Sequence, residues 1–142
     1  MVKSWIEKFC SEEFLVHYYR YEKLLPLLAI GENFLVSHAE PLESYTVDQV
    51  INCYIDPTII YGLTWTKNDA SQNGSVNNML KMFLEKRYIS SSYYFAGHRT
   101  IDSLYRLRAN GRFVQIHNPK KYIVAYLNPG RNIQLTKDIF EL

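Results

Sequence analysis

Two histidines stand where apolar, strand-like runs give out. His38 follows Phe34-Leu35-Val36-Ser37, and His98 follows Tyr93-Tyr94-Phe95-Ala96-Gly97. Imidazole is a common ligand for borderline divalent cations. Polar side chains at strand ends are aimed by a rigid element into open crevices. If both strands end on one rim, the two rings can share a cation, with donor nitrogens roughly 3–4 Å apart. Taken singly, a strand-end histidine is more often a hydrogen-bonded structural residue; the pair carries the argument. Two ligands are fewer than the three a catalytic zinc usually takes from protein. His117, which ends a strand before Asn118-Pro119, is a third candidate for the rim, whereas His17 lies in a helical region and reads as a surface or core residue.

The elements that must position these residues are legible in outline. Ser4 with Glu7 forms a capping-box pattern, and Ser11-Glu12-Glu13 offers a second helix start before Pro26. Leu27-Leu28-Ala29-Ile30 and Phe34 to Ser37 flank the turn Gly31-Glu32-Asn33 and predict a hairpin. Val47, Val50, Ile51 and Tyr54 fall at helical spacing, and Asp56-Pro57 is expected to break that helix. Ile59 to Trp65 is a short apolar run, followed by a polar loop from Lys67 to Gly74. Ser75 is the expected cap of the clearest helix, with Val76, Met79, Leu80, Phe83 and Leu84 on one face and Lys86-Arg87 at its C-terminal end. The remainder reads as an antiparallel meander. Leu104 to Arg108 and Arg112 to His117 flank Asn110-Gly111, a pair suited to positive φ, and Lys121 to Leu127 turns at Asn128-Pro129-Gly130 into Ile133-Gln134-Leu135.

Composition sets bounds on partners. A chain of 142 residues is sized for one domain, and a formal charge of +2 does not demand a polyanion. Aromatic residues do not interleave with a basic patch, so nucleic acid is not an expected partner. The longest apolar stretch, Leu24 to Ile30, is interrupted by Pro26 and falls short of a membrane span. Lys3, Glu7 and Lys8 argue against a signal peptide. Cys10 and Cys53 make neither a CxxC nor a disulfide framework, which predicts free thiols and a cytoplasmic location. No function follows from the twelve tyrosines.

Taken in order, these motifs resemble the C-terminal half of a calcineurin-like metallophosphoesterase, in its serine/threonine protein phosphatase-like branch. The resemblance runs collinearly from about Tyr21 to Leu135. Leu25 to Ile30 followed by Phe34 to Glu40 is similar to the hairpin that delivers one metal-binding histidine. Leu63-Thr64-Trp65-Thr66-Lys67 is similar to a Leu-Trp-Ser/Asn-Arg-like stretch, and Gly97-His98-Arg99-Thr100 to a Gly-His-Thr strand end. Phe113 to His117 and Tyr122 to Leu127 resemble the closing strands.

The resemblance implies an α/β (α+β-like) unit over residues 1–142, with a mostly antiparallel sheet flanked by helices, as in half of a four-layer αββα sandwich. His38 and His98 would ligate the same cation of a two-metal site of the manganese, iron or zinc class, and Lys67 and Arg99 would face a phosphate. The substrate would be a phosphorylated protein or small molecule. The family's N-terminal Asp-x-His, Gly-Asp-x-x-Asp and Gly-Asn-His motifs do not occur among these residues, and His117 stands where an aspartate is often found. The chain therefore carries half of a site. It is expected to be inactive alone, completed by an N-terminal half upstream or on another polypeptide, with an apolar sheet face left open or covered by self-association. The alternative is a non-catalytic remnant or interaction module that keeps the fold.

Overall fold

The computed structural model describes Ile6 and residues 8–142. The Ser4–Glu7 capping pattern lies outside the described residues. The second helix start is used: Ser11 accepts from the Phe14 amide and caps α1 (Glu12–Leu24), on which no residue is buried. The hairpin β1 (Ala29–Ile30) and β2 (Phe34–Val36) pairs antiparallel, as the sequence predicts.

Four helices then fill the connection to the next strand: α2 (Val47–Ile51), α3 (Pro57–Thr64), α4 (Ser75–Phe83) and α5 (Lys86–Ile89). α2 ends at Ile51 with Asn52 as its C-cap, so Tyr54 lies outside it, and Asp56-Pro57, expected to break that helix, starts the next one instead. The Asp56 carboxylate accepts from the Thr58 amide and Pro57 occupies the first turn, where its missing N–H costs nothing. The apolar run Ile59 to Trp65 is therefore mostly helix. Ser75 is the first residue of α4 rather than its cap. Gly74, at φ +85°, takes the cap position and makes no side-chain bond. The helix also stops at Phe83, and Lys86-Arg87 open the separate turn α5.

The chain continues as β3 (Tyr93–Ala96), β4 (Arg106–Arg108), β5 (Phe113–Gln115), β6 (Ile123–Ala125), α6 (Leu135–Asp138) and β7 (Ile139–Glu141). Asn110-Gly111 makes the expected hairpin turn, and Ala109 joins it at positive φ. Ile133-Gln134-Leu135 is not a strand; Leu135 begins α6, and the last strand follows it.

The architecture is mixed α/β, with three of the five strand pairings antiparallel. The expected meander is replaced by a five-stranded sheet of order β1-β2-β3-β5-β4 and a two-stranded sheet β6-β7. In the larger sheet β2 pairs parallel with β3, and β3 parallel with β5. The chain crosses the rim after β3, descends the outer edge as β4, and reverses at the Asn110-Gly111 turn. This inserts β5 between β3 and β4, running in the direction of β3.

Strand alternation divides the core into two layers. Leu35, Tyr94, Ala96 and Phe113 face the helical layer and pack with Ile59 and Leu63 of α3 and Val76, Met79 and Leu80 of α4. The α4 face read from the sequence is buried as expected, with Phe83 only partly so. On the opposite face Phe95 and Val114 meet Ile133, Leu135 and Ile139. The C-terminal segment thus supplies the second layer expected to be missing, and the apolar surface that remains is spread over the helices, the outer strands and the C-terminal segment, as at Ile30, Leu107, Tyr122 and Phe140. Phe14, Ile51, Tyr54, Ile55 and Leu24 are exposed.

The tightest approach in the helical layer is at Gly62 of α3. A Cβ there would lie 1.8 Å from the Tyr45 hydroxyl and 3.3 Å from the Leu42 Cβ. Alanine ordinarily favours a helix interior over glycine by about 1 kcal/mol. Here the fully buried Tyr45 ring cannot withdraw without opening the core. Gly62→Ala is therefore expected to lower the melting temperature, despite its better helix propensity. An unchanged or raised Tm would show that Tyr45 does not occupy this position.

Candidate metal centre

Parallel pairing of β2, β3 and β5 brings their C-terminal ends to one edge of the sheet. His38, His98 and His117 each follow one of these ends by two residues. The first two are tied together through the backbone. The His38 carbonyl accepts from both the Gly97 and His98 amides, at 3.1 and 2.8 Å. Beneath His38, the Tyr94 hydroxyl donates to Ser37 Oγ at 2.8 Å, and Ser37 Oγ donates to the Ala39 carbonyl at 2.6 Å. Tyr94 is fully buried, and burial pushes its phenol far above the ordinary range, so it remains a neutral donor.

The two imidazoles converge. His38 Nε2 lies 3.0 Å from His98 Nδ1, with ring centroids 4.9 Å apart. Without a cation the contact is a hydrogen bond, with one ring donating and the other accepting. With both lone pairs turned inward, it matches two ligands on one ion at about 2.1 Å each, which subtend roughly 90° at that ion. The donor pair therefore fits a shared divalent cation. His98 Nε2 is buried and has no partner among the described residues.

The surroundings favour the neutral form of His98. Burial, then the positive charges of Arg99, His38 and His117, depress its pKa below the ordinary imidazole value of 6.5. Trp65, exposed at the C-terminal end of α3, stands edge-on to the His98 ring at 5.1 Å.

No described group of three or more histidine, cysteine, aspartate or glutamate side chains is placed to hold a metal. The nearest carboxylate in sequence, Glu40, is committed elsewhere. It is nearly buried, and Arg108 donates to it at 3.1 Å while also reaching Asp69 at 2.9 Å. Burial raises the Glu40 pKa more than Arg108 lowers it, so this pair is held by geometry against a desolvation cost.

Arg99 and Lys67 are placed differently from one another. Arg99 donates from Nε to the Thr66 carbonyl and from Nη2 to the Trp65 carbonyl, each at 3.3 Å. A cation over the last carbonyls of a helix suits its dipole, so Arg99 fastens the end of α3 to the loop carrying His98. Lys67 is exposed in the loop that follows. Buried Gln115 supports the same loop by donating to the Arg99 carbonyl at 2.7 Å. Asn118 is structural: its side chain donates to the Ser103 carbonyl and accepts from the Lys120 amide. The sequence gives no signal for Gln115, Ser37 or Tyr94 as supports, because each needs the strand register to be known first.

Cys10 and Cys53 are free, and exposed His17 lies 3.9 Å from Glu13 on α1. Among the described residues no helix is long and apolar enough to cross a membrane. No protein-family model, curated protein or solved structure matches the chain.

Two outcomes follow from the electrostatics. Because the folded chain holds His98 below its unfolded pKa, the folded state binds fewer protons there. The resulting stability is present above about pH 6.5 and is lost as pH falls through the depressed folded value. Denaturation midpoints measured at pH 7.5 and 5.5 should drop more for the wild type than for His98→Ala; equal drops would contradict the placement. Separately, Arg108→Ala strands the Glu40 carboxylate and is expected to cost on the order of 3 kcal/mol in urea denaturation. A cost below the range of ordinary surface substitutions would show that the pair is not buried as described.

Proposed function

We propose that this chain is the C-terminal half of a metal-dependent phosphoesterase, contributing His38 and His98 as two ligands of one cation in a two-metal site. The observation that carries the reading is the 3.0 Å separation of His38 Nε2 and His98 Nδ1 on a rim formed by parallel strand ends. Cations of the manganese, iron or zinc class, when bound, neutralise charge on a phosphoryl group and make an attacking water more acidic. The chain's own residues orient and exclude. The Tyr94–Ser37 bonds fix the His38 loop, burial keeps His98 neutral for ligation, and Trp65 walls one side of its ring. Lys67 is the exposed cation on this loop and the candidate to meet a substrate phosphate; Arg99 would do so only by leaving its two carbonyls.

Two histidines do not complete such a site. The carboxylate that bridges two metals and the remaining ligands must come from an N-terminal half, which is the partner this reading requires alongside a phosphorylated substrate. A second reading, a non-catalytic module retaining the sheet, is favoured by the engagement of Arg99 and Glu40 in structural bonds.

An assay with a generic aryl phosphate and manganese separates them. The chain alone should show no turnover. Turnover should appear when an Asp-x-His-bearing N-terminal half is added and disappear with His98→Ala. Turnover by the chain alone that is lost in His98→Ala would contradict the half-site argument. No turnover in the reconstituted pair would favour the non-catalytic module.

A further inference from the structure

The rim carries a third imidazole that the two-histidine site does not use. His117 follows the end of β5 by two residues, as His98 follows the end of β3, and the pairing of the two strands runs to Ala96 opposite Gln115. The backbone remains close past the strand ends: the Ile116 amide donates to the Ala96 carbonyl at 3.1 Å, and the Ile101 amide to the His117 carbonyl at 2.8 Å. A Cβ built on Gly97, the residue before His98, would lie 3.6 Å from the His117 Cβ. The His117 side chain thus leaves the backbone beside the Gly97 turn that carries His98.

The His117 side chain is exposed, and none of its hydrogen bonds to a described residue runs through the ring, so rotation about χ1 breaks no side-chain bond. In its present rotamer the ring does not join His38 and His98 in a ligand group. The Glu40 carboxylate, two residues after His38, is engaged by Arg108. A set of three imidazoles suits zinc, cobalt, nickel or copper rather than magnesium or calcium, which prefer oxygen.

We propose that His117 swings onto the His38–His98 pair to complete a three-histidine site for one borderline divalent cation, formed by this chain without any other. Three protein ligands and one open position are the ligand count of a catalytic zinc site, whereas the bare pair falls below it. The inference stands on the rim alone and does not depend on an N-terminal half or on phosphatase activity.

The test is zinc titration of the whole chain by calorimetry, with imidazole resonances followed by NMR. The variants are His38→Ala, His98→Ala, His117→Ala and, as a surface control, His17→Ala. Wild type and His17→Ala should bind one zinc, with ring resonances of all three rim histidines shifting together. His117→Ala should bind at least tenfold more weakly while keeping the wild-type Tm, because an exposed side chain is removed. Equal affinity in His117→Ala and wild type, with loss in His38→Ala and His98→Ala, would overturn the proposal and leave a two-histidine site. No stoichiometric zinc binding by the wild type would overturn it as well; the phosphoesterase reading would then stand or fall on reconstitution with the N-terminal half.

Discussion

The site depends on the parallel pairing of β2, β3 and β5. Neighbouring antiparallel strands end on opposite edges of a sheet, whereas parallel neighbours end on the same edge. One edge therefore receives His38, His98 and His117, although they are separated by 60 and 19 residues in sequence. Parallel pairing requires crossovers, and the chain provides two. The helices α2 to α5 link β2 to β3 and cover the face bearing Leu35, Tyr94 and Phe113. The loop and outer strand β4 link β3 to β5. The same helical crossover that makes the strands parallel thus supplies half the core.

Several polar groups beneath the rim make hydrogen bonds that fix the loops carrying the rings. Tyr94 and Ser37 hold the His38 loop from inside the core, and Gln115 and Arg99 hold the His98 loop from the sheet and from α3. A buried donor left without a partner costs about 1–3 kcal/mol, so each of these bonds discourages alternative loop positions. Glu40 lies only two residues beyond His38, but its carboxylate is nearly buried and paired with Arg108, which also reaches Asp69. What remains at this edge is the converged pair of imidazole nitrogens of His38 and His98.

Much of the positional information was legible in the sequence. The strand ends at Val36 and Ala96, the Asn110-Gly111 turn and the apolar face of α4 were readable because alternation, positive-φ residues and helical spacing are local signals. The pairing partners were not. The turn at Asn110-Gly111 pairs β4 with β5 but does not say which of the two lies beside β3; packing decides it, burying Phe113 and Val114 of β5 and leaving Arg106-Leu107-Arg108 of β4 at the edge. The helix α3 was missed for a related reason. Asp56-Pro57 marks a helix start here rather than a stop, and Ile59-Ile60 favours a strand by propensity until Asp56 caps the turn. At the site, the two histidines were visible by type and context. Their supports were not, since Tyr94 and Gln115 look like ordinary strand residues until the register places them under the rim.

The central claim is that His38 and His98 present two nitrogens to one cation. It is tested most directly by crystallising the chain with zinc and locating the ion by anomalous scattering at the zinc edge. The account predicts a peak on the rim, about 2.1 Å from both His38 Nε2 and His98 Nδ1. A rim empty of anomalous signal at saturating zinc, or a peak bound to only one of the two rings, would contradict it.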